Sequence, residues 1–220
     1  MADTDLQGTL PDRFVITIGR SYGSGGRALG RLIADRLGIA FYDKQLLVKA
    51  AEKAGMNPEY FRKNDERRPS FISGSMASFT MGFYPVSWFN DPSAITSDGI
   101  YKAQSELIHE LAASEPCVIV GRSADYVLRE VPGVVNIFVH APAASCARRI
   151  MERGECETEA QARALAEKTN KLRAGFYNFY TDKRWGHAES YDLCVDSSLM
   201  PLDDIADFII GYVRRRLAKR

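Results

Sequence analysis

The chain has 220 residues, 45% of them hydrophobic and 26% charged, a composition typical of a globular protein with one main domain. Its 29 lysines and arginines balance 28 aspartates and glutamates, and a net charge of +1 argues against general attraction to nucleic acid or to an anionic membrane surface. Because no apolar run approaches the roughly 20 residues that span a bilayer, and the polar N-terminal stretch has no signal-peptide pattern, we expect a cytoplasmic protein without a membrane partner.

The first 43 residues predict the beginning of a βαβ unit. A short β-branched run at 14–19 is typical of a strand buried on both faces of a parallel sheet. Apolar residues then recur every three or four positions from Leu29 to Leu37, which predicts a helix that ends at Gly38. A second short strand is predicted at 39–42, with Asp43 as the cap of the next helix.

After residue 55 the composition of the chain changes, and further strands and helices are predicted beyond that segment. Residues 56–96 are rich in Ser, Gly, Phe, Met and Tyr, which is typical of an inserted lobe. The basic residues at 214–220 fall in the last turn of a helix, where cations suit the helix dipole, so we predict no nucleic-acid binding there. Alternating strands and helices predict an α/β fold with a parallel sheet of five strands. The later strands are predicted at 117–121, 134–139 and 191–195, and the later long helices at 97–113 and 202–217.

A glycine-rich stretch, GRSYGSGGRA, joins the first strand to the first helix at 19–28. A loop of small residues at a helix N-terminus exposes backbone N–H groups, and the helix dipole favours an anion there. Phosphate is therefore the expected ligand, and Arg27 adds a fixed positive charge. A tight turn without any ligand is the plain alternative.

Two nucleotide-binding patterns compete for this stretch. The P-loop pattern G-x-x-x-x-G-K-[ST] matches at Gly25, but Arg20 stands at the first glycine, Gly26 at the lysine and Arg27 at the Ser/Thr. The dinucleotide pattern G-x-G-x-x-[GA] matches at Gly23, Gly25 and Ala28, with Asp43 18 residues after Gly25. Features elsewhere in the sequence are needed to distinguish the two interpretations.

A concentration of basic residues favours phosphoryl transfer. Nine lysines and arginines lie within the 37 residues from 148 to 184. Lys168, Lys171 and Arg173 can share one side of a helix, although a solvated charged face explains any one of them equally well. A phosphoryl-transfer enzyme needs such cations on a closing segment because negative charge spreads over phosphoryl oxygens in its transition state.

Several separated segments, in this order, resemble the cytidylate kinase-like family, which belongs to the P-loop nucleoside monophosphate kinases. The resemblance runs from about Phe14 to Leu217. It implies a three-layer α/β/α fold in a single domain over 1–220, with an inserted acceptor lobe at about 44–113 and a lid region at about 148–184. The segments are GRSYGSGGRALGRLIADRLG at 19–38, FYDKQLL at 41–47, GRSADYVL at 121–128, KTNKLRAGFYNFYT at 168–181 and YDLCVDSS at 191–198.

The resemblance also implies an activity and a set of site residues. The activity is transfer of the γ-phosphoryl group from the Mg²⁺ complex of ATP to a nucleoside monophosphate. CMP and dCMP are the first candidates for this acceptor. Asp43, Arg122 and Asp125 would face the acceptor, although a helix cap or an ordinary structural role accounts for each of them as well. The ATP site would comprise Ser21, Tyr22, Gly23, Ser24, Gly25, Gly26 and Arg27, and the catalytic cations would be Arg27, Lys168, Lys171 and Arg173.

Two departures from the family pattern keep other functions open. The P-loop lysine is absent, and the third strand ends in Gly121-Arg122 without the carboxylate that usually helps to hold Mg²⁺, so no metal ligand is assigned. One alternative is a nucleotide-binding or regulatory protein that has lost turnover, and another is a kinase of a different small acceptor. The sequence fixes neither the acceptor nor the oligomeric state.

Overall fold

The computed structural model describes residues 10–44, 48 and 97–218, and the predicted lobe at 56–96 lies outside them. The labels used below number the elements of this part of the chain. The strands are β1 (Val15–Arg20), β2 (Ala40–Tyr42), β3 (Cys117–Val120), β4 (Val134–His140) and β5 (Leu193–Asp196), and the helices are α1 (Gly26–Leu37), α2 (Ser97–Ser114), α3 (Ala124–Val127), α4 (Ala143–Glu152), α5 (Glu159–Tyr180) and α6 (Leu202–Ala218).

The five strands form one parallel sheet in the order β2-β3-β1-β4-β5. The central strand β1 pairs with β3 on one side and with β4 on the other, so that Ile18 lies beside both Val120 and Ile137. Because all strands run the same way, their carboxyl ends meet at one edge of the sheet, where the glycine-rich stretch also begins. The predicted five-stranded parallel sheet is confirmed.

Helices cover both faces of the sheet and make three layers. Ile16 and Ile18 of β1 point into a core shared with α1 and α6, whereas Val15 points into a second core shared with α2 and α3. A strand buried on both faces has no polar side to expose, which is why the strands read as short apolar runs. The predicted helix at 97–113 is confirmed as α2, which places Leu107 and Ile108 in the second core.

The observed strand boundaries lie within two residues of the predicted ones. Gly38 ends α1 with a φ of 64°, the left-handed conformation that glycine adopts without strain. The helix predicted to follow Asp43 lies almost entirely outside the described residues. Across the described part of the chain, no helix is both long and apolar enough to cross a membrane.

The predicted lid region at 148–184 consists of the end of α4, the whole of α5 and the segment after it. Thr158 begins α5 with a capping box in which its side chain and that of Gln161 each accept a hydrogen bond from the other's backbone N–H. Ala147 and Ile150 of α4 pack on Ala162 and Ala166 of α5, and Tyr22 of the glycine-rich stretch packs against this cluster. The helix pair therefore rests directly on that stretch.

Candidate functional site

The phosphate loop, residues 21–26, has the conformation of an anion cradle. Gly23 and Gly25 have φ values of 79° and 82°, which turn the chain sharply between β1 and α1. Gly25 is the N-cap of α1, and no side chain caps this helix, so the N–H groups of its first turn are directed to the cleft. The cleft has a volume of about 360 Å³ and is lined by Arg20, Ser21, Tyr22, Gly23, Gly25, Gly26, Arg27, Ala28, Arg153, Glu155 and Arg173.

Buried hydrogen bonds fix the loop to the carboxyl end of the sheet. The carbonyl of Ser24 accepts from Ser197 Oγ at 2.5 Å and from Arg149 Nη1 at 3.2 Å. Arg149 also donates from Nη2 to the carbonyl of Ser197 at 2.7 Å. Ser24 and Ser197 are both fully buried, so the bond between them is shielded from competing water, while the bonds from Arg149 are partly buried. Arg149 and Ser197 thus hold the middle of the loop in place.

Helix α5 holds the beginning of the same loop. The backbone N–H of Tyr22 donates to Asn170 Oδ1 at 2.8 Å, and Arg173 Nη1 donates to the carbonyl of Arg20 at 3.1 Å. The Arg173 guanidinium also lies 5.2 Å from the centre of the Tyr22 ring. Tyr22 donates through its hydroxyl to Glu155, and burial is the main cause that raises the pKa of this hydroxyl.

The predicted cations occupy different surroundings. Arg27 forms an ion pair with the predicted acceptor residue Asp43: Nε and Nη2 of Arg27 each lie 2.6 Å from Oδ2 of Asp43, which is almost completely buried. Arg173 lines the phosphate-loop cleft. Lys168 and Lys171 are exposed and do not line it, and Lys171 pairs with Glu167 one turn earlier on α5.

A second, smaller cavity of about 60 Å³ opens beside the cleft and is called the acceptor cavity below. It contains the predicted residues Arg122 and Asp125. Gly121, Arg122 and Ser123 all have positive φ, at 82°, 62° and 52°. Such a turn is costly for the two residues that are not glycine, and strain of this kind is concentrated at functional sites. The lining residues are Gly19, Arg20, Gly121, Arg122, Ser123, Asp125, Arg173, Phe176, Tyr177, Trp185 and Tyr191.

Asp125 is a buried acid held by a tyrosine of the lid region. Its side chain is almost inaccessible to water, and Tyr177 Oη donates to its Oδ2 at 2.6 Å. Burial raises the pKa of Asp125, while the Tyr177 hydrogen bond and the charge of Lys183 oppose that shift. The predicted acceptor residue is therefore tied to α5, which also holds the phosphate loop.

This raised pKa leads to a prediction about stability. Above the ordinary pKa of 3.8, the unfolded protein loses the Asp125 proton before the folded protein does, so the carboxyl costs the folded state increasing stability as pH rises. An Asp125→Asn variant has no such cost, so its free energy of unfolding should increase relative to wild type as pH rises above 3.8, and the difference should level off once the carboxyl of the folded protein has ionised. Urea denaturation of both proteins across this range is the measurement. A difference that stays constant or shrinks would contradict the burial effect.

The match to a family model now identifies the relatives of the chain. Residues 15–199 match the model of the cytidylate kinase-like family, which is most of the sequence. The chain belongs to the cytidylate kinase-like family. The match begins in β1 and ends just after β5, so it includes the phosphate loop, the acceptor cavity and the lid region.

One curated protein and two solved structures are similar to this chain over most of its length. The chain is 26% identical over 200 residues to a cytidylate kinase of Methanosarcina barkeri, covering 88% of this chain and 93% of that protein. It also resembles the crystal structure of an uncharacterized protein from Eubacterium ventriosum, with 25% identity, a TM-score of 0.67 and coverage of 91% and 98% of the two chains. A shikimate kinase from Acinetobacter baumannii shares the fold at 15% identity, with a TM-score of 0.51 and coverage of 95% and 96%. Family and fold together support a kinase that acts on a nucleotide or another small molecule.

The chemistry of the cytidylate kinase-like family implies Mg²⁺, which binds oxygen ligands. The described residues include no group of three or more His, Cys, Asp or Glu side chains that could hold a metal ion. Among the cleft-lining residues, Glu155 carries a carboxylate, and it accepts from Arg153 Nε at 2.6 Å. Mg²⁺ usually keeps several waters and binds through one or two carboxylates together with substrate phosphates. The cleft therefore fits an ion that arrives with the nucleotide.

Sequence reasoning did not identify three residues that fix the phosphate loop of this family member. Arg149, Asn170 and Ser197 hold the loop from three different elements, far from it in sequence. A usable signal existed for Ser197, because it directly follows β5 and the carboxyl ends of parallel strands converge on the ligand crevice. Arg149 and Asn170 stand in helical segments where charged and amide side chains are ordinarily exposed, so the pattern alone gave no such signal.

Proposed function

We propose that the protein is an ATP-dependent nucleoside monophosphate kinase of the cytoplasm that phosphorylates CMP or dCMP. One observation carries the proposal: an uncapped helix N-terminus and a glycine loop form a cleft that adjoins a second cavity with its own arginine and buried acid. The first feature suits the phosphates of a donor, and the second suits a phosphorylated acceptor. Family membership and the cytidylate kinase of Methanosarcina barkeri favour cytidine as the acceptor base.

The phosphate loop would bind the donor. Backbone N–H groups from Gly23 to Arg27 and the dipole of α1 would hold the β- and γ-phosphates of ATP. Ser21 and Tyr22 belong to the same wall of the cleft. Arg27 would add charge at the edge of the cleft while Asp43 fixes its position.

The acceptor cavity would bind the nucleoside monophosphate. Arg122 offers a fork of donors that suits phosphate oxygens. Asp125 carries oxygens able to accept hydrogen bonds, and Tyr177 holds it in one orientation. Asp43 stands at the start of the predicted acceptor lobe, so its pairing with Arg27 would connect the two halves of the site.

The transfer step needs positioning and positive charge. An oxygen of the acceptor phosphate would bond to the γ-phosphorus as the bond between that phosphorus and the β,γ-bridging oxygen breaks, which releases ADP. A phosphate dianion needs no general base. Mg²⁺ bound with ATP supplies positive charge to the phosphate oxygens. Arg173, which lines the cleft, is proposed as a cation over the transferring group, and Lys168 and Lys171, exposed on the same helix outside the cleft, would add positive charge to the lid region.

A coupled assay of ADP release tests this function. Wild-type protein with ATP and Mg²⁺ should release ADP only when an acceptor is added, and CMP or dCMP should give the highest kcat/KM among the ribo- and deoxyribonucleoside monophosphates. Omitting Mg²⁺ should abolish this release. Parallel reactions without protein and without acceptor measure background hydrolysis.

The same assay distinguishes this function from two others. ATP binding without turnover on any monophosphate would contradict the kinase and identify a nucleotide-binding or regulatory protein, which the missing P-loop lysine favours. Release of ADP with a different small acceptor alone would point to a kinase of that acceptor, since kinases with this fold include one named for shikimate.

A further inference from the structure

The space beside the phosphate loop is filled by the side chain of Arg20. A Cβ atom added to Gly26 would lie 2.6 Å from the Cβ of Arg20 and 3.3 Å from its Cγ. A Cβ added to Gly121 would lie 2.2 Å from Nη1 of Arg20. Carbon atoms that are not bonded normally stay about 3.5–4.0 Å apart. The two glycines therefore leave a groove in which the Arg20 side chain runs from the end of β1 to the turn after β3.

Arg20 and Gly26 occupy two of the three positions at which this sequence departs from the P-loop pattern, the third being Arg27. Aligned on Gly25, the pattern has glycine at position 20 and lysine at position 26, whereas this chain has arginine and glycine there. Because Cβ atoms at positions 20 and 26 would collide on this backbone, only one of the two can carry a long side chain. The glycine and the cation have exchanged places.

The position of Arg20 between the two cavities suits a cation of the transfer step. Arg20 and Arg173 line both the phosphate-loop cleft and the acceptor cavity. A phosphoryl group in transit has to lie between its donor and its acceptor, and a cation at that junction faces the charge that develops there. Arg20 also belongs to the central strand of the sheet, which is a rigid support.

Arg27 is less suited to the role of the lysine. Two of its guanidinium nitrogens lie 2.6 Å from one oxygen of Asp43, so its charge is paired with a buried carboxylate. Its side chain is 64% exposed to solvent, where water weakens the field of the charge. Arg20, in contrast, is partly buried between two glycines.

We propose that Arg20 is the catalytic residue that replaces the P-loop lysine, its guanidinium contacting the γ-phosphoryl group as this group moves from ATP to the acceptor. The inference rests on the proposed function, since it names the cation of that reaction. The bond from phosphorus to the ADP oxygen breaks, the bond to the acceptor oxygen forms, and Arg20 stays protonated throughout. The planar guanidinium suits this contact because it can bond two phosphoryl oxygens at once.

Two substitutions at Arg20 test the charge separately from the fold. Arg20→Met keeps a long stem in the groove and removes the charge, so kcat should fall about 10²- to 10³-fold in a protein whose circular dichroism shows that it is folded. Arg20→Lys keeps a charge and should retain clearly more activity than Arg20→Met. A folded Arg20→Met protein whose kcat lies within about threefold of wild type would overturn the proposal.

The double variant Arg20→Gly/Gly26→Lys tests the exchange of positions. Arg20→Gly alone should lose turnover, and Gly26→Lys alone should lose stability because its Cβ meets that of Arg20. Together they place glycine at position 20 and lysine at position 26, as in the P-loop pattern, while Arg27 still stands at the Ser/Thr position, so kcat of the double variant should be at least about tenfold higher than that of Arg20→Gly. A folded double variant no more active than Arg20→Gly would refute the exchange.

Nucleotide binding separates a failure of this proposal from a failure of the proposed function. Titration calorimetry should give a weaker affinity of Arg20→Met for ATP, and a smaller loss for ADP, which lacks the γ-phosphate. If wild type transfers phosphoryl to no acceptor, the proposed function fails, and this comparison still decides whether Arg20 contacts the γ-phosphate. Equal ATP affinities of wild type and Arg20→Met would overturn that contact.

Discussion

A Gly23→Ala variant should lose both stability and ATP binding. Gly23 has a φ of 79°, and an L-residue in this region costs about 1–2 kcal/mol. An added Cβ would also lie 2.7 Å from the backbone carbonyl oxygen of Cys146, and such overpacking costs typically about 1–3 kcal/mol. The backbone of α4 cannot swing aside as a side chain can, so the loop has to move and the cradle opens. Urea denaturation and ATP titration measure the two losses.

Gly38→Ala is the matched control for this substitution. Gly38 also has a positive φ, 64°, but an added Cβ would meet nothing within 4 Å. It ends α1 at the opposite end from the phosphate loop, so Gly38→Ala should cost only the backbone strain and leave the ATP affinity unchanged. If Gly23→Ala proved no more harmful than Gly38→Ala in either measurement, the tight contact between the loop and α4 would be wrong.

Arg149→Met should weaken the kinase through the loop without touching the substrate. The substitution removes hydrogen bonds from a charged donor to the carbonyls of Ser24 and Ser197, which are worth about 1.5–3 kcal/mol each in favourable cases. A loop that is less well held presents its N–H groups in more orientations, so kcat/KM for ATP should fall about tenfold or more. Most of this loss should come from KM if Arg149 only positions the loop. Initial rates at varied ATP concentrations give the separation.

Arg148→Met provides the control on the same helix. Arg148 is exposed and pairs with Glu152 at 4.0 Å, a surface pair that contributes at most about 1 kcal/mol. Its kcat/KM should match that of wild type. Equal effects of the two substitutions would show that the loss at Arg149 reflects the charge of α4 in general rather than the bonds to the loop.

Much of the fold could be predicted because each strand is a short apolar run bounded by turn residues. Val15 to Ile18 and Cys117 to Val120 read as strands covered on both faces, and the sheet confirms this. Gly38 was predicted as the end of α1 because glycine commonly follows the last turn of a helix, and its left-handed conformation agrees. The prediction of a phosphate loop depended on local residues alone, and the positive φ values of Gly23 and Gly25 agree with it.

The partners of the site residues could not be predicted, because they depend on packing between distant parts of the chain. The sequence predicted Arg27 as a fixed positive charge at the phosphate loop, and the fold pairs it with Asp43. Likewise, the sequence shows only that Arg20 stands where the P-loop pattern has glycine. The space that Gly26 and Gly121 leave for its side chain is visible only in the fold. The bond between Tyr177 and Asp125 also depends on the packing of α5 against the turn after β3, which local residues do not indicate.

The fate of the γ-phosphate is the most direct test of a kinase site between the phosphate loop and the acceptor cavity. Wild-type protein is incubated with Mg²⁺, CMP and ATP labelled in its γ-phosphate, and the products are separated. The label should appear in CDP, in an amount equal to the ADP formed, and much less should appear with Arg20→Met. Label that stays in ATP or appears only as inorganic phosphate, with CMP and every other nucleoside monophosphate, would contradict the proposed transfer.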